Sequence, residues 1–202
     1  MEILLASENA HKLEELSRIL TPLGFDVVTP SQKGINLGCV EENGNTLIEN
    51  SRIKANNARR ISGMPVIADD TGLIVEALNG LPGVHTARFA GENATDNENV
   101  DKLLNEMKDV PKFKRTAKFV TSICCILSDD MTVEVEGECR GEIAFERSGE
   151  NGFGYDPVFI CEKYGRTFAN CTAEEKDSVS HRGNALRKLR EELIKLNIKN
   201  EE

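Results

Sequence analysis

The sequence predicts an α/β fold, and three observations carry this prediction. Strand-like apolar runs alternate with amphipathic helical segments in the N-terminal part of the chain. Two Thr-x-x-Glu pairs stand where helices should begin. Two long β-rich segments follow one another, separated only by a short polar turn. At 202 residues, the chain is expected to form one domain or two closely associated lobes.

The N-terminal elements can be assigned in order. The apolar run "EILLAS" predicts a buried first strand, and leucine and isoleucine residues then recur at helical spacing up to Gly24, which ends the helix. "FDVVT" follows as a second strand. Thr46 and Glu49 form a capping-box pair, which predicts a helix to about Ser62. "MPVIAD" is then predicted to be a short strand.

The later elements include a long hairpin. Thr95 and Glu98 form a second capping-box pair and predict the next helix. "TAKFVTSICCILS" and "MTVEVEGECRGEIA" are β-rich, and "SDDM" between them marks the turn of the hairpin. The last helix is expected from about Ser180 to Leu196, with its leucines facing inward.

Composition excludes several classes of protein. A net charge of −9 opposes a broad surface for nucleic acid or anionic membrane, so an anionic ligand needs a local cationic pocket or a bridging metal ion. No apolar run approaches the roughly 18 to 20 residues that span a bilayer, and "MEILLAS" is typical of a strand and not of a signal peptide. The six cysteines form no C-x-x-C pair, which is against a zinc ribbon. We therefore expect a cytoplasmic protein with reduced thiols.

Two segments near strand ends carry candidate anion and metal ligands. In "SENAHK", Ser7, Asn9 and Lys12 stand at a predicted helix start and either bind an anion or simply cap the helix. In "ADDTG", the adjacent carboxylates follow an apolar strand, where they could bind Mg²⁺ or accept a proton from water. An Asx-type turn explains the same residues equally well. The carboxylates of "EENG" are either further metal ligands or acids that complement the start of the next helix. Lys54 on that helix is either a ligand-binding cation or a surface lysine.

Two further segments carry candidate contacts to a planar ligand. In "GFGYDPVF", two glycines flank Phe153, either in a turn with a core phenylalanine or because the backbone approaches something flat. In "EEKDSVSHRG", Lys176, His181 and Arg182 form a dense group of hydrogen-bond donors near a helix start, although a lone histidine is more often structural. A nucleotide site accounts for all five segments, because aromatic rings stack on bases, cations neutralise phosphates and carboxylates hold Mg²⁺.

Taken together, the motifs resemble those of the inosine triphosphatase family. "SENAHKLEEL" is similar to the family's [ST]-x-N-x-x-K-x-x-E, and "EENGNTLIENSRIKA" to E-E-x-G-x-T-F-x-E-N-A-x-x-K-A, with Leu47 and Ser51 as departures. "ADDTGLIVEALNGLPGVHTARFAG", "GFGYDPVF" and "EEKDSVSHRGNAL" follow in family order over nearly the whole chain. Asn170 and Cys171 depart from the family's usual Glu-Leu.

The resemblance implies one domain over residues 1–202, with two α/β lobes around a long central mixed β-sheet, flanking helices and a nucleotide site in the cleft between the lobes. It also implies a homodimer and Mg²⁺ as cofactor. Asp70 is the implied catalytic base, and Glu41 and Asp70 are the implied metal ligands. The implied substrate-binding residues are Ser7, Asn9, Lys12, Lys54, Thr71, Phe153, Gly154, Tyr155, Asp156, Lys176, His181 and Arg182, the last three at the base edge.

The implied activity is Mg²⁺-dependent hydrolysis of ITP, dITP and XTP to the monophosphate and pyrophosphate, which removes non-standard purines from the nucleotide pool. A catalytically silent nucleotide sensor is the alternative from another class, but it would not need Glu41, Asp69 and Asp70. A pyrophosphatase for modified pyrimidine nucleotides is the nearest alternative enzyme, and "GFGYDP" with "SHR" favours purines over it.

Overall fold

The computed structural model describes residues 1–196, which form a central mixed open sheet of eight strands with five α-helices. The strands are β1 (Glu2–Leu5), β2 (Asp26–Val28), β3 (Val66–Val75), β4 (Pro82–Gly83), β5 (Thr116–Ser128), β6 (Met131–Ile143), β7 (Phe159–Cys161) and β8 (Arg166–Thr167). The helices are α1 (Ala10–Leu20), α2 (Leu47–Ser62), α3 (Asp96–Glu106), α4 (Ala173–Val179) and α5 (His181–Lys195). The predicted α/β class is confirmed.

The order of strands in the sheet is β2-β1-β3-β5-β6-β7-β8, and β4 pairs with β3 off this path. β1 pairs in parallel with both β2 and β3, while β7 pairs antiparallel with β6 and with β8. The sheet is therefore mixed, as the resemblance implied. No helix within residues 1–196 is both long and apolar enough to cross a bilayer.

The chain divides into two compact units. Unit 1 consists of Met1–Asp70, Thr121–Gly137 and the chain from Arg182 onward. Unit 2 consists of Thr71–Val120 and Glu138–His181. The boundaries fall inside the long strands β3, β5 and β6, and between the first two residues of α5.

Unit 1 has two apolar cores, one for each face of its strands. One contains Ile67 of β3 with leucines of α1 and α5, and the other contains Val66 and Ala68 with alanines of α2. Successive side chains of a strand point to opposite faces, so β3 contributes alternately to the two cores. The same alternation sends the side chains of Asp69 and Asp70 to opposite faces of β3.

Unit 2 is built around an aromatic core. Phe119 lies 4.6 Å from Phe159 and 6.3 Å from Phe168, measured between ring centroids. The Arg115 side chain is buried and donates hydrogen bonds to four backbone carbonyls, those of Met107, Val110, Ile143 and Ala144. Because a buried guanidinium needs its donors satisfied, this clamp holds the end of β6 against the segment after α3.

Local sequence signals predicted most helix starts and the hairpin correctly. Both capping boxes form, so α2 begins after Thr46 and α3 after Thr95. β5 and β6 form the predicted long hairpin, which turns at residues 129–130. The last helix begins at His181, one residue after its predicted start, and Ser180 is extended.

Local structure differs from the predictions in two places. The strand predicted over "MPVIAD" was too short: β3 runs from Val66 through "DDTG" to Val75, so the alternative Asx turn does not form. Asp69 tolerates this strand position because Lys12 and Arg182 neutralise its carboxylate. The short helix α4 was not predicted, although Thr172 and Glu175 form a third capping box at its start.

Candidate active site

Asp69 is the centre of a buried ion network in unit 1. Its Oδ1 lies 2.8 Å from Lys12 Nζ, and its Oδ2 accepts hydrogen bonds from Nε and Nη2 of Arg182 at 3.1 and 3.0 Å. Arg182 also pairs with the buried Glu15. Burial alone would raise the pKa of Asp69, but the two cations outweigh it and hold that pKa well below its usual range. Asp69 is therefore ionised, and both of its carboxylate oxygens already contact cations.

Asn9 caps the N-terminus of α1, as the helix-cap interpretation of "SENAHK" predicted. Asn9 Oδ1 accepts a hydrogen bond from the backbone N–H of Lys12 at 3.1 Å, and Ser7 Oγ accepts one from that of Asn9 at 3.2 Å. The cap sets the first turn of α1, from which the Lys12 side chain reaches Asp69. Burial lowers the pKa of Lys12, and Asp69 partly offsets that effect. Lys12 is thus a half-buried cation, and its contact with a phosphate stays a prediction.

Asp70 lies in a second group on the opposite face of β3, still within unit 1. Lys54 Nζ lies 2.7 Å from Asp70 Oδ1 and 3.0 Å from Glu42 Oε2, so one ammonium group joins two carboxylates. Asn50 Nδ2 is 3.4 Å from Asp70 Oδ2. Burial raises the pKa of Asp70 despite the nearby ammonium. Burial also opposes the charge on Lys54, but Asp70, Asp69 and Glu42 outweigh it and raise the pKa of Lys54.

The donor atoms around Asp70 fit Mg²⁺. They are carboxylate oxygens that already converge on one cation, the Lys54 ammonium. Within residues 1–196, no three His, Cys, Asp or Glu side chains form a complete metal site. Mg²⁺ commonly takes only one or two protein carboxylates and completes its shell with phosphate oxygens and water, so a partial protein site suits it.

Glu42, and not Glu41, is the glutamate that the structure brings to Lys54 and Asp70. Glu41 is exposed, and its role as a metal ligand stays a prediction. Thr71 follows Asp70 in β3 and is half-buried, and its contact with substrate also stays a prediction. Residue type does not distinguish the two neighbouring glutamates of "EENG". The backbone path of the loop decides which of them reaches Lys54.

In unit 2, Phe153 and Lys176 form a pair. Lys176 Nζ lies 4.7 Å from the centroid of the Phe153 ring and 2.7 Å from Asp156 Oδ2. Asp156 Oδ2 also accepts a hydrogen bond from the backbone N–H of Phe153 at 2.9 Å. One buried carboxylate therefore orients both the half-buried ring and the ammonium. A flat ring beside a fixed cationic donor is suited to stacking on a base and donating to its edge.

The glycines around Phe153 serve the loop in different ways. Gly152 has φ +79°, and a Cβ there would lie 2.0 Å from Asp156 Oδ2. Gly154 has φ +59° with nothing within 4 Å of an added Cβ, and its N–H donates to Asp96 Oδ2 at 2.8 Å. Gly152 therefore makes room for a carboxylate of its own loop and Gly154 permits a left-handed turn. The structure thus gives both glycines a conformational reason that needs no ligand.

Three of the predicted base contacts have structural partners. The buried Tyr155 hydroxyl donates to the Thr86 carbonyl oxygen at 2.9 Å. The buried His181 ring stacks on Phe119, with 4.5 Å between centroids and 17° between planes. The Arg182 guanidinium, also buried, contacts Asp69 and Glu15. Contacts of these three side chains with a base stay predictions.

Sequence reasoning assigned no individual role to four polar residues of these clusters, although the first three occupy fixed positions of the family motifs: Glu15, Glu42, Asn50 and Asp96. Helical spacing was a usable signal for two of them. Glu15 is three residues after Lys12 in α1, and Asn50 is four residues before Lys54 in α2, so each shares a helix face with a predicted cation. Nothing in the sequence places Asp96 near Gly154, because the two are 58 residues apart.

Comparison with known proteins identifies the family. The model of the Ham1 family matches residues 3–192. The dITP/XTP pyrophosphatase of Mannheimia succiniciproducens is 46% identical over 196 residues, covering 95% of this chain and 98% of that protein, and that of Haemophilus influenzae is 44% identical over 194 residues, covering 95% and 98%.

Solved structures give the same result. A HAM1 protein from Coxiella burnetii is 39% identical with a TM-score of 0.86, covering 96% of this chain and 99% of that one. The Staphylococcus aureus Ham1 protein is 40% identical with a TM-score of 0.83, covering 96% and 98%. These similarities extend over nearly the full length of both partners and confirm the resemblance that the motifs indicated. The chain belongs to the Ham1 family.

Proposed function

We propose that this protein hydrolyses dITP, ITP and XTP to the nucleoside monophosphate and pyrophosphate, with Mg²⁺ as cofactor. The observation that carries the chemistry is Asp70, a half-buried carboxylate with a raised pKa, next to the Lys54 ammonium. The names of the curated relatives, dITP/XTP pyrophosphatases, support the substrate class. A purine-pool cleaning role follows from that activity.

In unit 1, Asp70 accepts the proton of the water that attacks the α-phosphorus. A raised pKa suits a base that must take up a proton near neutral pH. Lys12 and Lys54 offer positive charge to the triphosphate, and their carboxylate partners keep them fixed before substrate arrives. Mg²⁺, held by Asp70 with Glu41 or Glu42, would neutralise phosphate charge and polarise the water. Ser7 and Asn9 contribute the polar groups of the α1 N-terminus.

In unit 2, Phe153 stacks on the purine and Lys176 donates a hydrogen bond to its edge. Hypoxanthine and xanthine carry an oxygen at C6, whereas adenine carries an amino group there. A donor such as Lys176 would therefore meet an acceptor in dITP and another donor in dATP, which leaves polar groups unpaired and slows the reaction. Arg182 and Lys176 both have carboxylate partners, but Lys176 lies beside the Phe153 ring, so we assign the donor role first to Lys176.

The test is an assay of the purified protein with dITP, XTP, dGTP and dATP, with and without Mg²⁺, in which the products are identified. We expect Mg²⁺-dependent release of pyrophosphate from dITP and XTP and little from dATP, which lacks the C6 oxygen. Guanine shares that oxygen, so the low use of dGTP that we also expect has to come from its 2-amino group. Release of orthophosphate, or equal use of all four nucleotides, would contradict the proposal. Tight binding of dITP without turnover would favour the silent sensor.

Truncation of Phe153 tests the base platform. Phe153→Ala is expected to lower kcat/KM for dITP by about 5- to 150-fold, since stacking of a base on an aromatic ring is worth roughly 1–3 kcal/mol. Phe153→Tyr keeps the ring and should stay close to wild type. Phe113→Ala, which removes an exposed ring elsewhere in unit 2, is the control and should change nothing. Equal kcat/KM values for all four proteins would remove Phe153 from the substrate site.

We also propose that the protein is a cytoplasmic homodimer. The homodimer is an implication of the family resemblance, and light scattering of the purified protein would measure it directly. The cytoplasmic location is supported by the six cysteines, all of which are free thiols in the structure. Fractionation of the source cells would test it.

A further inference from the structure

Cys139 in β6 and Cys161 at the end of β7 lie side by side in unit 2. Their sulfur atoms are 3.8 Å apart, and both side chains are buried. Gly141 of β6 pairs with Cys161 in the antiparallel register, so the two cysteines are diagonal neighbours across two adjacent strands. The contact joins residues 22 positions apart, and neither residue has a role in the proposed hydrolysis.

Cys161 is the sulfur that favours the thiolate form. The pKa of Cys161 is lowered to about 6 by its contact with the Cys139 sulfur and by the backbone N–H groups of Lys163 and Tyr164, against the opposing effect of burial. The pKa of Cys139 is raised by that same contact and by burial. One thiol is thus prepared as a nucleophile, and the other retains its proton.

A cleft in unit 2 leads to this pair. It has a volume of about 780 Å³ and is lined by Cys161, Gly141 and Ala117, with Lys118 and Arg140 among its charged residues. Cys161 lines the cleft although its side chain is only 1% exposed, so oxidation requires a local opening of the cleft wall. Cys125 lies in the apolar core of unit 1 and does not line this cleft, and burial raises its pKa to about 12.

We propose that Cys139 and Cys161 are a redox-active pair that hydroperoxides convert to a disulfide. The Cys161 thiolate attacks an oxygen of the hydroperoxide, the O–O bond breaks, and the leaving oxygen takes a proton to depart as alcohol or water. The sulfur of Cys139 then attacks the Cys161 sulfenic acid, the S–S bond forms and the S–O bond breaks. The hydroxide that leaves takes the Cys139 proton and becomes water. The two thiols lose two electrons and the hydroperoxide gains them.

Closure requires a local shift of the backbone as well as of the side chains, because diagonal neighbours on adjacent strands are typically about 7–8 Å apart. The sulfurs must approach from 3.8 Å to about 2.05 Å, the length of a disulfide bond. Cys161 is the last residue of β7, and its carbonyl oxygen accepts hydrogen bonds from the N–H groups of Tyr164 and Gly165 in the turn to β8. β7 also follows closely after the loop that carries Phe153 and Asp156, so the cross-link would join that segment to β6.

The test uses a Cys39→Ser background, because Cys39 is the exposed cysteine and would form links between molecules. The folded protein is treated with hydrogen peroxide, free thiols are alkylated under denaturing conditions, and the chain is cleaved after glutamate. This cleavage places Cys139 in peptide 139–142, Cys161 in peptide 151–162 and Cys171 in peptide 163–174, each as a single cysteine. Mass spectrometry should show peptides 139–142 and 151–162 joined, and dithiothreitol should separate them.

Single substitutions assign the two roles. In Cys139→Ser the sulfenic acid cannot be resolved, so dimedone should label peptide 151–162. In Cys161→Ser, peptide 139–142 should stay unlabelled. Cys125 should remain reduced throughout as an internal control. Absence of the 139–142 to 151–162 link in the folded protein would overturn the proposal, as would a link from peptide 151–162 to peptide 163–174 or a link that forms only in urea.

Discussion

Replacing Asp70 by asparagine is expected to lower kcat for dITP by at least about 100-fold, because general-base catalysis contributes roughly 10²- to 10⁴-fold and Asp70 is also a proposed metal ligand. Asparagine keeps the size of the side chain and loses the ability to take up a proton. Stability should not fall. Burial raises the pKa of Asp70, so folding already favours its neutral form, and Lys54 keeps Glu42 as a partner. Steady-state kinetics and thermal unfolding of the same preparation measure both effects.

The control for this variant is Asp129→Asn, which changes an aspartate of unit 1 that lies in the hairpin turn with its side chain 89% exposed. It should leave both kcat and the melting temperature unchanged. If Asp70→Asn retained more than a tenth of wild-type kcat, the assignment of Asp70 as the base would be wrong. If it lost activity only because it unfolded, the melting temperature would reveal this.

Replacing the adjacent Asp69 is expected to have the opposite result, a large loss of stability. Asp69→Asn removes the carboxylate that the half-buried Lys12 and the buried Arg182 share. Removing one partner of a buried ion pair costs about 3–5 kcal/mol. At about 2–4 °C per kcal/mol for a chain of this size, the melting temperature should fall by roughly 6 to 20 °C.

The effect of Asp69 should depend on pH in a defined direction. Burial opposes its ionisation, but Lys12 and Arg182 outweigh burial and hold its pKa below the unfolded value of about 3.9. A carboxyl group with a lowered folded pKa contributes stability above the unfolded pKa and loses it as pH falls toward the folded one. The stability difference between wild type and Asp69→Asn should therefore be constant from pH 7 to about pH 5 and should shrink below about pH 4.

Urea unfolding of wild type, Asp69→Asn and Asp70→Asn at pH 7 and at pH 3.5 compares the neighbours under identical conditions. The two substitutions make the same chemical change one residue apart, so the comparison isolates the environment of each carboxylate. An Asp69→Asn protein as stable as Asp70→Asn would show that the buried network does not stabilise unit 1.

The sequence alone was sufficient where a signal is local. Thr46 with Glu49 and Thr95 with Glu98 predicted the starts of α2 and α3, because a capping box satisfies backbone N–H groups within a single turn. The two β-rich segments and the short polar turn "SDDM" between them predicted the β5–β6 hairpin. The family motifs depend on residue type and spacing, and they were enough to identify the family.

Local sequence patterns could not predict ion pairs between residues that are far apart in the chain. "ADDTG" was equally compatible with a turn, because an isolated carboxylate is unfavourable inside a buried strand. Only the approach of Lys12 from α1 and Arg182 from α5 makes a strand position acceptable for Asp69. The pairings span 57 and 113 residues, and nothing in the spacing of the sequence encodes them.

The sequence by itself determined the α/β class, most helix starts, the hairpin, the family and the set of candidate side chains, because each of these depends on neighbouring residues or on residue type. The tertiary structure decided which of those side chains meet. In the tertiary structure, Asp69 belongs to a buried ion network and Asp70 pairs with Lys54. Glu42, and not Glu41, contacts Lys54, and Cys139 lies against Cys161. These contacts follow from how strands and helices pack, and packing depends on the whole chain at once.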